Sequence, residues 1–370
     1  MPHFNKQMIS LFLTTKCNLR CRYCYNSSER RCKEEQSLSF SMAKVGIKSF
    51  FESNSSRHIR FYGPGEPTQE FQLLKDIVKY AKSLDNSVTT ELQTNGCFNA
   101  TKCKWLSENI DIIWISFDGE PDIQNRQRPF PNNKPSAPTI ERNVKTLIQS
   151  GSDVMVGARV TITNENLLRQ KEMLDYFYSL GIRYVWSDPL FPSVGKIPVC
   201  NDINKLNNYH FDMDAYVDNY ILAYQYAEKI GMFYGSFLTC NFDGTCNKHC
   251  RACTPVPHLT TDGYVSACDL VTFGQDAGHM DCFVYGKWNE ELQNYEYDNS
   301  KIKELQRRTT ENMPHCSRCD VKEHCGGYCL GEVTNETGNL FGQKPITCKA
   351  IRKIAKEIGF INEKYKYLHP

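Results

Sequence analysis

The chain has 370 residues, of which 40% are hydrophobic, so it can bury a large core and is long enough for more than one domain. Forty-four basic and 42 acidic residues give a net charge of only +2, which argues against nucleic acid as a partner because phosphate-binding surfaces carry excess positive charge. The apolar run at residues 8–13 is too short for a signal sequence or a membrane span. We therefore expect a cytoplasmic protein without a membrane partner.

Residues 7–187 alternate between β-rich runs and helical patterns. Helices are predicted at residues 38–52, with Leu38, Met42 and Val45 on one face, and at residues 139–151, with Thr139 as N-cap. Six β/α units in sequence predict an α/β fold with a parallel sheet, either doubly wound or curled into a partial barrel. The six predicted strands are MISLFLT, RHIRFYG, VTTELQT, IDIIWISFD, DVMVGARVTIT and GIRYVWS.

Polar motifs follow these strands at the point where each one ends, which is where parallel sheets bind their ligands. Strand one is followed by three cysteines and strand two by GPGEPT. QTNG and SFDG end strands three and four, strand five carries an arginine and a threonine, and WSDPL lies at strand six. The sequence therefore predicts one site at one edge of the sheet.

The first motif, TTKCNLRCRYCYN, places Cys17, Cys21 and Cys24 in a C-x3-C-x2-C spacing. Structural zinc takes four protein ligands, so three thiols would leave such a site incomplete. An iron–sulfur cluster held by three thiolates leaves one iron open to an outside ligand.

Eighteen cysteines in a chain without an export signal argue against disulfides, because the cytoplasm keeps thiols reduced. Metal binding explains them better. Eleven of the 18 lie between Cys240 and Cys348, which marks a second region. Five cysteines are expected to be structural or unligated: Cys32, Cys97, Cys103, Cys200 and Cys282.

Over residues 7–190 these motifs resemble those of the radical S-adenosylmethionine (SAM) enzymes. The resemblance implies a partial (β/α)6 TIM-like barrel in which Cys17, Cys21 and Cys24 hold a [4Fe–4S] cluster. In that family the methionyl group of S-adenosylmethionine chelates the open iron, and reductive cleavage gives a 5′-deoxyadenosyl radical that abstracts hydrogen from the substrate.

The same resemblance suggests which residues hold S-adenosylmethionine. A methionyl ammonium needs acceptors, which the turn with Gly65 and Glu66 would supply. A guanidinium with a hydroxyl suits the methionyl carboxylate, here Arg128 and Ser116. The ribose is assigned to Asn95, Asp118 or Arg159, and the adenine to the backbone near Tyr23 and beyond strand six. This turn departs from the family pattern because Pro64 separates its two glycines.

Residues 240–350 resemble the SPASM extension of radical enzymes that modify peptides and proteins. CSRCDVKEHCGGYC and GYVSAC carry this resemblance, which implies two auxiliary [4Fe–4S] clusters. Its ligand pattern assigns Cys316, Cys319, Cys325 and Cys348 to one cluster and Cys268 and Cys329 to the other. Cys246 and Cys250 are favoured as the last two ligands, with Cys240 and Cys253 as alternatives. Zinc at the four downstream cysteines is the competing interpretation.

Asp269 directly follows Cys268. One interpretation is a solvated acid or one that only supports the neighbouring ligand. The other comes from sulfatase-maturating relatives, which have a catalytic aspartate at the equivalent place. Burial in a dry pocket is expected to raise its pKa enough for a general base.

The chain is thus expected to comprise a radical SAM barrel over residues 1–190, a linker or helical segment over 191–239, an auxiliary iron–sulfur domain over 240–350 and a C-terminal helix over 351–370. The favoured function is oxidative modification or crosslinking of a peptide or protein. The alternatives are an anaerobic sulfatase-maturating enzyme and, from another class, a non-catalytic electron-transfer or zinc-binding module. Gln124 and Asn125 replace the His-Asp pair usual in the maturases, which counts against that alternative.

The sequence and its family resemblance also suggest protein partners. Only 16 residues precede Cys17, too few for an N-terminal leader-binding module. A separate leader-binding protein is therefore one expectation, and direct binding of the substrate at the barrel mouth is the other. The expected reductant is a flavodoxin or a ferredoxin.

Overall fold

One eleven-stranded sheet organises the part of the chain that the computed structural model describes, residues 7–24, 34–190, 211–275 and 277–360. Cys32 and Cys200 lie outside these ranges. The strands are β1 (Ile9–Phe12), β2 (His58–Tyr62), β3 (Thr89–Thr94), β4 (Ile112–Ser116), β5 (Met155–Ile162), β6 (Tyr184–Pro189), β7 (Phe233–Gly235), β8 (His258–Leu259), β9 (Tyr264–Ser266), β10 (Val284–Asn289) and β11 (Asn294–Tyr297).

The first seven strands are parallel and neighbour each other in sequence order. β1–β5 lie within the first five predicted strands, and β6 overlaps the sixth but ends two residues beyond it. The α/β fold class with a partial (β/α)6 barrel is confirmed. The sequence did not predict β7, whose three residues are too few to show a period. The helices are α1 (Phe40–Ser53), α2 (Phe71–Leu84), α3 (Ala100–Asn109), α4 (Pro121–Gln127), α5 (Ala137–Gln149), α6 (Gln170–Ser179), α7 (Met213–Lys229), α8 (Asn299–Gln306), α9 (Lys322–Cys325), α10 (Leu330–Thr337) and α11 (Pro345–Ile358).

Two predicted helix details differ in the structure. The helix α1 is capped by Ser39, whose side chain accepts from the N–H of Met42, so Leu38 precedes the helix. Its buried stripe includes Ala43 and Ile47 instead of Met42 and Val45. The helix α5 begins at Ala137, two residues before the predicted N-cap Thr139, because a proline at its first turn fits the helical backbone.

The C-terminal region continues the same sheet. β8 pairs parallel with β1, with Ser10 opposite His258 and Leu11 opposite Leu259. β9, β10 and β11 then follow as an antiparallel meander. The predicted segment boundaries remain predictions. However, the sheet runs from the first predicted domain into the third without interruption.

The helices α7 and α11 pack together, and Lys349 of α11 forms a 3.0 Å ion pair with Asp214 of α7. In the described ranges, no helix combines the length and the apolar character needed to cross a bilayer.

The face of the sheet opposite the helices carries a separate apolar cluster that supports the ligand site. Trp114, Trp186 and Phe233 belong to it. Side chains alternate between the faces of a strand, so Ser116 and Arg159 lie on the same face as this cluster, further along β4 and β5. Gly157 leaves room for Trp114, because a Cβ there would lie 2.4 Å from the indole carbon Cζ3.

We expect Gly157→Ala to lower the free energy of unfolding by about 1–3 kcal/mol, because the added methyl group must displace the buried indole. Gly244→Ala is the matched control, since a Cβ at Gly244 meets no atom within 4 Å. Its effect should stay within about 0.5 kcal/mol. Urea unfolding of both variants measures the difference, and equal effects would show that Trp114 does not require this glycine.

Candidate active site

A cavity of about 260 Å³ lies at the carboxyl ends of the parallel strands. It brings together motifs from the barrel and from the C-terminal region, as predicted for a single site. Asp118 and Cys246 are predicted site residues that do not line it. The predicted residues that line it are Cys17, Cys21, Tyr23, Cys24, Gly65, Glu66, Asn95, Ser116, Arg128, Arg159, Cys250, Cys268, Asp269 and Cys329.

The three-cysteine loop forms one wall of this cavity. All three thiols are partly buried, and the Asn95 amide nitrogen lies 3.9 Å from the Cys17 sulfur. Burial raises the pKa of Cys21 to about 12, although the Arg128 charge opposes this shift. Three thiols with a cavity on one side fit a cluster that keeps one iron open to a ligand.

The turn after β2 is built against the start of this loop. A Cβ on Gly65 would lie 2.3 Å from the carbonyl oxygen of Lys16 and 2.5 Å from that of Thr14, so no larger residue fits. The Glu66 N–H donates to the Lys16 carbonyl at 2.7 Å. This close approach fixes the turn beside the cysteines.

The Glu66 carboxylate is buried and ties the turn to the end of β3. It accepts from the Thr94 hydroxyl at 2.7 Å, from the Asn95 N–H at 2.7 Å and from the Thr68 hydroxyl at 2.8 Å. Asn95 in turn donates to the Asn18 side chain at 2.7 Å. The carboxylate is therefore already held in one orientation by protein donors.

Asp118 has a different place from the one expected for a ribose ligand. It is fully buried, and it accepts from the Tyr23 hydroxyl at 2.5 Å and from the Thr161 N–H at 3.0 Å. Arg128 donates to the Tyr23 oxygen at 2.5 Å. Both Asp118 oxygens are thus engaged by protein, and the residue positions Tyr23 and, through it, Arg128.

Asp188 and Arg159 meet on the opposite part of the cavity wall, 3.7 Å apart. Asp188 is buried and accepts from the Trp186 indole N–H and from the Phe237 N–H, each at 2.7 Å. Burial raises the pKa of Asp188, while Arg159 lowers it. The sequence had indicated the end of strand six but not this carboxylate.

Asp269 is clamped by two cationic or potentially cationic side chains that the sequence analysis did not identify. Arg60 donates to one carboxylate oxygen at 2.7 Å, and the His258 Nε2 atom lies 2.9 Å from the other. Both partners are buried, with side-chain exposures of 3% and 2%. His258 Nδ1 faces the carbonyl oxygens of Val256 and Ser266, so it carries a proton.

The expected rise in the pKa of Asp269 is therefore wrong. Burial alone would raise this pKa, but Arg60 and then His258 lower it well below its usual range. Asp269 lines the cavity as a stabilised anion. The signal that could have found Arg60 is its place on β2, three residues before the Gly-Pro-Gly turn.

Arg251 lines the same cavity from the short turn Arg251–Cys253. Among the described residues, its guanidinium has no hydrogen-bond or ion-pair partner. Burial and then the Arg60 charge lower its pKa, and Asp269 opposes them. In the sequence it stands between two cysteines and carries no motif of its own.

Four downstream thiols come together as predicted. Cys316, Cys319, Cys325 and Cys348 line one small cavity of about 20 Å³. Burial raises the pKa of Cys316 to about 11, and the neighbouring thiols add to this shift. Four is the number of thiolates that an iron–sulfur cluster usually takes.

A second group of cysteines, called the second thiol group below, faces the large cavity. Cys250, Cys268 and Cys329 line it. Burial and Cys329 raise the pKa of Cys268. The Cys253 N–H donates to the Cys250 carbonyl at 3.1 Å, and the neighbouring Cys250 thiol lowers the pKa of Cys253.

Cys246 and Cys240, the two remaining candidates, do not line the large cavity. The Cys246 N–H donates to the carbonyl of Glu323 at 2.6 Å, and the Cys240 sulfur lies 3.6 Å from His249 Nε2. The contacts thus favour Cys253 over Cys246 as the fourth member of the second thiol group.

Comparisons with known proteins give a family match and similar folds. Residues 11–177 match the family model described as the Radical SAM superfamily. The chain is 22% identical over 380 aligned positions to the radical SAM cyclopropyl synthase TigE of Paramaledivibacter caminithermalis, covering 95% of this chain and 73% of that protein. It is 22% identical over 333 positions to the cysteine-type anaerobic sulfatase-maturating enzyme of Clostridium perfringens, with 85% of each covered. The solved structure of anSMEcpe with AdoMet and the Kp18Cys peptide superimposes with a TM-score of 0.69 at 18% identity, covering 95% of this chain and 96% of that one.

We expect Asp269→Asn to lower the free energy of unfolding by about 2 kcal/mol, because buried Arg60 loses its anionic partner. Asp281→Asn is the control, since its pair with Lys301 is exposed and should contribute less than about 1 kcal/mol. Chemical unfolding of both variants tests this. If Asp269→Asn were as stable as the control, Arg60 would not depend on this carboxylate.

Proposed function

Because the chain is a radical SAM enzyme whose radical SAM domain spans residues 11–177, we propose that it oxidatively modifies a side chain of a peptide or protein. The observation that carries this proposal is a single cavity lined by the three-cysteine loop and by thiols of the C-terminal region. A peptide partner is supported by the anSMEcpe structure, which holds a peptide. The non-catalytic alternative is set aside because the relatives of the chain are named as enzymes.

Cys17, Cys21 and Cys24 would hold the catalytic [4Fe–4S] cluster, which with S-adenosylmethionine supplies the radical that takes hydrogen from the substrate. Arg128 is held beside Cys21 by Tyr23 and would bind the methionyl carboxylate together with Ser116.

Other cavity residues would hold the rest of S-adenosylmethionine. The turn at Gly65 and Glu66 would accept hydrogen bonds from the methionyl ammonium. Asn95 and Arg159 remain the candidates for the ribose, because both line the cavity whereas Asp118 does not.

The remaining thiols would hold two auxiliary clusters, which supply acceptors for the electron that substrate oxidation releases. Cys316, Cys319, Cys325 and Cys348 form one donor set. Cys250, Cys253, Cys268 and Cys329 form the other, with Cys253 replacing Cys246 on the strength of its contact with Cys250. The redox partner is expected to be a flavodoxin or a ferredoxin.

Formylglycine formation on a sulfatase is the second candidate, because Asp269 lies at the cavity wall directly after a thiol of the second group. The clamp by Arg60 and His258 opposes a simple base role for this carboxylate, since both partners stabilise its charged form. Asp269 would instead orient the substrate in the cavity.

Replacement of Cys17, Cys21 and Cys24 by alanine should abolish formation of 5′-deoxyadenosine while the downstream clusters remain visible by electron paramagnetic resonance. The reason is that the two regions use separate thiols. Anaerobic assay of S-adenosylmethionine cleavage is the measurement. Cleavage by the triple variant would show that the catalytic cluster lies elsewhere.

Anaerobically reconstituted protein should bind about twelve irons, corresponding to three clusters of four. Cys253→Ala should bring the iron content towards about eight, whereas Cys246→Ala should leave it near twelve. Iron and zinc analysis of both variants decides between them. If Cys246→Ala lost iron and Cys253→Ala did not, Cys246 would belong to the second donor set. If the wild type held only about four irons together with zinc, the auxiliary clusters would be contradicted.

A further inference from the structure

Arg251 differs from the other arginines of the large cavity in having no partner of its own. Four arginines line this cavity. Arg60 donates to Asp269 at 2.7 Å, Arg128 donates to Tyr23 at 2.5 Å, and Arg159 lies 3.7 Å from Asp188. Within the described part of the chain, Arg251 is the one of these four cavity arginines whose guanidinium has neither a hydrogen bond nor an ion pair.

The carboxylates near Arg251 already contact other basic side chains. Asp269 is bound by Arg60 and His258. Glu91 is buried and lies 2.9 Å from His58. Arg60 adds a like charge beside Arg251. A partly buried cation in this position is unfavourable until an anion from outside the protein reaches it.

We propose that Arg251 binds a carboxylate of the substrate, so that the preferred substrate is a peptide presenting an aspartate, a glutamate or its C-terminal carboxylate in the cavity. This inference rests on the proposed function and specifies its substrate class. A guanidinium suits this role because its planar N–H groups bind both oxygens of a carboxylate. Phe237 and Leu270 line the same cavity and offer apolar surface to the methylene groups of such a side chain.

The position of Arg251 in the chain determines which thiols a bound substrate would lie beside. It stands between Cys250 and Cys253, both of the second thiol group. A substrate held by Arg251 would therefore lie next to that group. The competing occupant is the bound cluster itself, whose negative charge would engage the guanidinium in the absence of any substrate.

Arginine footprinting of the reconstituted holoprotein with phenylglyoxal, read residue by residue by mass spectrometry, separates these occupants. The probes are N-acetyl-Gly-Asp-Gly-amide and N-acetyl-Gly-Asn-Gly-amide, which differ by one charge. We expect the aspartate peptide to slow modification of Arg251 by about threefold or more at saturation and the asparagine peptide to leave it unchanged. Exposed Arg142 is the internal control and should react equally in every sample.

Either of two results would overturn the proposal. Equal protection by both peptides would show that no carboxylate is recognised. An Arg251 that is already unreactive without peptide would show that the holoprotein itself occupies the guanidinium. The measurement uses the wild-type protein, so it does not depend on whether a variant folds.

Affinity measurements on variants provide a second test. Arg251→Gln should weaken binding of the aspartate peptide by about tenfold or more, and Arg251→Lys should retain part of the affinity. Arg142→Gln should bind the peptide as the wild type does. An unchanged affinity in Arg251→Gln would contradict the proposal.

The failure of this inference is distinguishable from failure of the proposed function. Formation of 5′-deoxyadenosine by the wild type is measured in the same preparation. If it forms while Arg251 shows no charge-selective protection, only the substrate class is wrong. If it does not form, the proposed function fails whatever the footprint shows.

Discussion

The parallel pairing of β8 with β1 determines where the groups of the C-terminal region lie. It consists of two residue pairs, Ser10 with His258 and Leu11 with Leu259. Through it, His258 enters the cavity beside Arg60 of the neighbouring β2, and the chain returns after β9 to place Cys268 and Asp269 at the same edge. A barrel strand and a strand from the cysteine-rich region thus act as neighbours in one sheet. The site is assembled at their shared end.

Ion pairs then hold the side chains at this edge of the sheet in place. Buried or partly buried acids and bases line the cavity, and four of them form two ion pairs: Asp269 with Arg60, and Asp188 with Arg159. Burying a charge without such a partner is costly. Because each match joins two elements, the pairs also fix the strands and loops relative to one another. Removal of one member would disturb geometry as well as charge.

The parts of this arrangement that were predictable from the sequence are those with a local signal. Strand ends of a parallel sheet meet at one edge, so the motifs at Cys17, Glu66, Asn95 and Ser116 could be placed together. His258 carries no local signal, and the place of Arg60 on β2 does not reveal that it meets Asp269, since both contacts join residues far apart in sequence. The pKa of Asp269 was predicted in the wrong direction for this reason. The choice between Cys246 and Cys253 likewise depends on how a turn packs, which cysteine spacing alone does not fix.

The β1–β8 pairing also has a consequence for how the chain folds. β1 lies in the middle of the final sheet, with β2 on one side and β8 on the other, yet β8 is made about 250 residues after it. During synthesis from the N-terminus, the barrel strands are complete while one edge of β1 still lacks its neighbour. An unpaired, apolar edge of this kind attracts other strands. In the nascent chain, this edge of β1 is therefore open to such pairing until residues 258 and 259 have been made.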